Sequence, residues 1–138
     1  NDAVEYWEIY AKIFYIKQEN ADDIPTLCVK SLGSDGMTRD QCLVEGIEDM
    51  QIEFGVDTNG DAVPNTYTPD PNDVSVAVTA RIYLLVRSLG ELVGTQNAND
   101  KTYQLGLDAG TITTASDGYL RQIFSTTVLV RNSILPAT

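Results

Sequence analysis

Val74-Ser-Val-Ala-Val-Thr-Ala-Arg-Ile-Tyr-Leu-Leu-Val-Arg87 is the stretch that decides the fold class. Val74, Val76, Val78, Ala80, Ile82, Leu84 and Val86 take every second position, and Ser75, Thr79, Arg81, Tyr83 and Arg87 fall between them. Successive side chains of a strand point to opposite faces, so this period of two predicts a strand with one apolar face. The pattern returns in Leu120–Asn132, where Leu120, Phe124, Val128 and Val130 alternate with Arg121, Ser125, Thr127 and Arg131. Both segments are expected in one core sheet with Ile82 and Phe124 facing inward. Truncating either to Ala should then cost roughly 2–5 kcal/mol, the usual penalty of a core cavity.

Working outward, Met50, Ile52, Phe54 and Val56 alternate with Gln51, Glu53, Gly55 and Asp57, which predicts another strand. Tyr6–Ile16 is dense in aromatic and β-branched residues and reads as a strand, with helix as the competing reading. Leu27–Leu32 reads as a short strand closed by the turn Gly33-Ser-Asp-Gly36, and Leu43–Glu48 as a turn or a single helical turn. Asp57–Asp73 holds Asn59-Gly60 and three prolines (Pro64, Pro69, Pro71), so it reads as loop. Leu89–Gly118 is too long for a structureless connection, and a short strand is expected near Tyr103–Leu107. No segment sustains a period of 3.6 and no internal repeat is visible. The class is mainly β: an antiparallel sheet domain of five or six strands over residues 1–138. Such a sheet must cover one face, either by folding on itself or by packing on a helix upstream of Asn1.

Charge narrows the range of partners. The 138 residues carry 20 acids, nine bases and no histidine, for a net charge of −11. Residues 1–73 hold 16 acids and four bases, whereas residues 74–138 hold four acids and five bases. A surface this acidic repels phosphate backbones and anionic lipids, so nucleic acid is not an expected partner. Without histidine there is no Ser-His-Asp or Cys-His catalysis and no imidazole zinc site. The longest apolar run, Ile82–Val86, is far short of the roughly 20 residues that span a bilayer.

Four groups of residues are candidate sites. Cys28 and Cys42 are the only cysteines, and their spacing excludes a CxxC redox pair. They form either a disulfide, stabilising by about 3 kcal/mol and implying an oxidising compartment, or two small buried thiols. Asp57, Asn59 and Asp61 set oxygens at positions one, three and five of a tight loop, the first half of a calcium loop. Position twelve is Thr68 rather than Glu, with Asp70 or Asp73 as the only substitutes, and the competing reading is an Asx-turn. Glu45, Glu48, Asp49 and Glu53 supply paired carboxylates, but no spacing singles out an acid/base couple, so no enzyme is expected. Tyr6, Trp7, Tyr10, Phe14 and Tyr15 crowd one segment and read as core or as an adhesive or subunit-docking surface.

Three stretches in order carry a resemblance. They are Leu43-Val-Glu-Gly-Ile-Glu-Asp-Met-Gln-Ile-Glu-Phe-Gly-Val-Asp-Thr-Asn-Gly-Asp61, Ala80-Arg-Ile-Tyr-Leu-Leu-Val-Arg-Ser88 and Tyr119-Leu-Arg-Gln-Ile-Phe-Ser-Thr-Thr-Val-Leu-Val-Arg-Asn132. Together they resemble the C-terminal half of PilW-type minor pilins of type IV pili, over about residues 10–132. The resemblance implies a pilin-like α+β fold whose N-terminal helix is absent from this chain. It also implies a structural subunit that joins other minor pilins, helps prime pilus assembly and sits in a tip complex. The expected location is the periplasmic face of the inner membrane and the extracellular pilus of a Gram-negative bacterium, with membrane contact only through that helix. The rival readings are a type II secretion pseudopilin and an extracellular calcium-stabilised binding module.

Overall fold

The computed structural model describes residues 9–92, 99–107, 111–113 and 117–130. It is built of antiparallel sheets with almost no helix, and it carries ten strands among the described residues. The first sheet comprises β1 (Lys12–Lys17), β2 (Thr26–Gly33), β3 (Gly36–Met37) and β4 (Gln41–Glu45). β2 pairs with β1 on one side, and with β3 and β4 in turn. The connection from β1 closes on Asp23, whose carboxylate accepts the Asn20 N–H at 2.9 Å. A slip in register after Leu27 sets Cys28 directly opposite Cys42. The two are joined as a disulfide across adjacent strands, with Cα atoms 4.0 Å apart. The helical turn considered for Leu43–Glu48 is not found, since β4 runs to Glu45 and the next strand, β5 (Ile47–Val56), starts at Ile47.

Gly46 turns the chain from the first sheet into the second. Its φ of +83° lies in the left-handed region, and a Cβ there would sit 2.7 Å from the Arg87 carbonyl oxygen. Glycine is therefore required on both counts. The Gly46 N–H donates to the Pro25 carbonyl at 2.7 Å, and its own carbonyl accepts from the Arg87 N–H at 2.8 Å. One residue thus ties the two sheets together, beside the buried Pro25 and Ile47.

The second sheet holds β5 (Ile47–Val56), β6 (Thr66–Thr68), β7 (Ala77–Arg87) and β10 (Arg121–Leu129) in the order β10-β7-β5-β6. β8 (Thr102–Gln104) and β9 (Thr111–Thr113) form a separate hairpin, close to the expected strand near Tyr103. The long alternation is shortened at its start. Pro71–Val76 forms a 3-10 helix capped by the Asp70 carboxylate on the Asn72 N–H, so Val74 and Val76 precede the strand. An Asp before a proline makes a local cap, and this competes with extension of the strand.

Which face is covered is the main correction. In the register of β5, β7 and β10, one face carries Glu53, Gly55, Thr79, Arg81, Tyr83, Leu85 and Arg121. The other carries Met50, Ile52, Phe54, Ala80, Ile82, Leu84, Val86, Phe124 and Val128. The segment around Leu105 lies over the first face, where Leu85 is 1% exposed and Leu105 0%. Phe124, expected in the core, is 52% exposed, and Ile82 is only half-buried.

Candidate functional site

The open face follows from strand alternation where no described segment lies over it. Ile52, Phe124 and Val128 are exposed on it, and a shallow depression of about 100 Å³ lies among Ile82, Leu84, Phe124, Ser125 and Thr126. No position of β5, β7 or β10 that the register assigns to this face is charged. Three strands spaced ~4.8 Å apart present a strip roughly 10 Å wide, close to the diameter of one helix. Exposed apolar surface of this kind marks a contact site.

The opposite face is covered and carries the charges. Glu53 is 2% exposed; its carboxylate accepts the Leu107 N–H and, at 3.2 Å, the Tyr83 hydroxyl. Gly106, at φ +76°, lets the backbone turn directly over that carboxylate, where a Cβ would collide with it. Arg81 lies 3.8 Å from the centre of the Tyr67 ring and also reaches the Tyr83 hydroxyl. At the end of the sheet, Arg121 bonds both Glu48 oxygens at 2.6 and 2.9 Å and both Asp117 oxygens at 2.7 and 2.9 Å. Arg87 lies 4.4 Å from the Tyr119 ring centre. The Arg121 guanidinium beside Asp117 holds that carboxyl below its ordinary range, and Arg121 is itself shifted up, chiefly by Asp117. These groups are used in holding the 99–107 and 117–120 segments onto the sheet. The sequence offers Glu48 and Glu53 only as members of a carboxylate group with no distinguished pair; alternation puts Glu53 on the polar side of its strand and says nothing of what lies over it.

The remaining candidates sit apart. Asp57, Asn59 and Asp61 are brought together in one loop. The Asp57 carboxylate accepts the N–H groups of Asn59, Gly60 and Ala62 at 3.0, 2.7 and 2.7 Å. Burial pushes its carboxyl up, but these donors outweigh it, and the group lies below its ordinary value. Asn59 in turn donates to Asp61 at 3.1 Å, and Ala62 is held at φ +63°. Among the described residues no three acidic or cysteine side chains gather as a metal cluster. Glu45, Glu48, Asp49 and Glu53 are not brought to one point: Glu48 serves Arg121, Asp49 accepts from Gln51, and Glu53 lies beneath Leu107. Of the aromatic group, Tyr10 and Phe14 are exposed, Tyr15 is half-buried, and Tyr6 and Trp7 lie outside the described residues.

The comparison with protein families settles the affiliation. Residues 13–132 match the model of the type IV pilus-assembly protein W family. The chain belongs to that family. No curated protein and no solved structure matches it. The match takes in the first sheet from β1 onward, the disulfide, and the whole of the second sheet with both its faces. Membership gives this PilW-family chain a role in type IV pilus assembly, among the components of the cell envelope or pilus. No described helix of the chain is long and apolar enough to cross a membrane.

Proposed function

We propose that this PilW-family protein is a non-enzymatic minor pilin that helps prime pilus assembly within a tip complex of minor pilins. The observation that carries the reading is the uncharged open face of β5, β7 and β10, opposite a charged face that is covered over β5 and β7. A subunit that works by templating needs a sheet held on an apolar helix, and desolvation of apolar side chains supplies the drive without catalysis. The occupant in this reading is the apolar N-terminal helix of a pilin-like α+β fold, which would also provide the membrane contact before assembly. The oxidised Cys28–Cys42 pair accords with a location at the periplasmic face of the inner membrane and then in the extracellular pilus.

The test is a Phe124→Glu/Val128→Glu variant, which places two charges on the open face without touching the covered one. In a strain that depends on this protein for pili, sheared surface pili should fall to the level of the deletion. The purified variant should melt within a few degrees of wild type, since both side chains are exposed. Wild-type piliation by the double variant would overturn the reading. Restoration of protein secretion instead of piliation would move the protein to the pseudopilin class.

A further inference from the structure

Among the described residues, the second sheet ends in a long strand edge with no strand beyond it. The Ser88 N–H donates to the Leu120 carbonyl, and the Val130 N–H to the Val78 carbonyl, so even-numbered residues of β10 bond to β7. In an antiparallel ladder the alternate residues then point their backbone groups away. These are Ile123, Ser125, Thr127 and Leu129. Among the described residues no strand is registered against this side. β10 runs nine residues against β7 without a shift in register, and it contains no proline and no lysine. Other edges in the same protein are blunted in the usual ways. β6 is three residues long between Pro64 and Pro69, and β1 begins and ends on a lysine.

We propose that the outer edge of β10 is a strand-addition site and that its occupant is the same edge of a second copy. The two strands run antiparallel about a two-fold axis at Ser125. Each Ile123 then faces the second copy's Thr127, and the outward N–H and C=O groups of both copies satisfy one another. Charge favours this occupant. Sixteen of the 20 acids lie in residues 1–73, whereas β7 and β10 come from the nearly neutral remainder. Edge-to-edge pairing joins the two neutral halves and keeps the acidic ones apart. Arg121, the one charged residue of β10, is already neutralised by Glu48 and Asp117. The pairing also sets the two open faces side by side as one apolar surface, and it is independent of what covers that surface.

Sedimentation velocity of the 138-residue chain over a range of concentrations should show a monomer–dimer equilibrium. Amide exchange read by NMR should slow at Ile123, Ser125 and Thr127 as dimer forms. Thr127→Pro deletes an outward N–H and leaves the β7 ladder intact, so dimerisation should weaken roughly tenfold or more. Ser125→Lys sets two ammonium groups face to face on the axis and should do the same without a backbone change. Phe124→Asn, which alters only the open face, should leave the dimer in place. A chain that stays monomeric, or whose edge amides exchange equally fast in the dimer, overturns the proposal. So does a dimer that survives Ser125→Lys and is lost in Phe124→Asn, which would assign the contact to the open face. None of these outcomes bears on piliation by the face variant.

Discussion

The two faces of the β10-β7-β5-β6 sheet exchange the roles usually given to apolar and charged residues. The face bearing Glu53, Arg81 and Arg121 is covered, whereas the face bearing Ile52, Ile82, Phe124 and Val128 is open. The covered face can hold charges because each one is matched: Glu53 by an N–H and a hydroxyl, Arg121 by two carboxylates, Arg81 by a tyrosine ring. Unmatched, such groups would cost several kcal/mol each to bury. The open face needs no partner within the chain to be stable in water. It loses only the gain that covering would bring, about 25 cal/mol per Å². A sheet can therefore close its polar side with its own loops and leave its apolar side to a further segment.

Leu85→Ala should damage the covered side most, with a loss of roughly 2–5 kcal/mol in urea unfolding, because the residue is fully enclosed. Arg121→Met should cost about 3 kcal/mol by stranding Glu48 and Asp117. It should also change the acid limb. Asp117 has a depressed carboxyl pKa, so its contribution is present above the ordinary carboxylate range near pH ~4 and is lost as pH falls through the folded value. Stability measured below pH ~4 should decline less steeply in Arg121→Met than in wild type. Glu53→Ala should cost about 1–3 kcal/mol by leaving the Leu107 N–H without its acceptor. Glu53→Gln, which keeps an acceptor oxygen, should cost less.

On the open side, Phe124→Ala should cost about 1 kcal/mol or less, because half of the ring is already in water. A loss as large as that of Leu85→Ala would erase the distinction between the faces. The smallest effect is expected at the Asp57–Asp61 loop. A calcium site there with a dissociation constant near ~1 mM would add only about 0.4 kcal/mol at millimolar calcium. That corresponds to a rise of about 2 °C in the melting temperature against chelator, absent in Asp57→Ala. Overlaid wild-type curves would leave the loop as a turn built on the Asp57 carboxylate.

Alternation, turn chemistry and the run of motifs from Leu43 to Asn132 made the mainly β class, most strands and the family legible in the linear chain. These are local properties, carried by neighbours two or three residues apart. Val74 and Val76 misled only because a local cap at Asp70 outcompeted their alternation. The direct opposition of Cys28 and Cys42 depends on a slip in register between β2 and β4, which spacing alone does not encode. The burial of Glu53 depends on Leu107, 54 residues away, and the pairing of Arg121 with Glu48 spans 73. A period of two states that a strand has two unlike faces. Which face is closed depends on where distant chain comes to lie, because matched hydrogen bonds and charges can hold a polar face closed while an apolar one stays open.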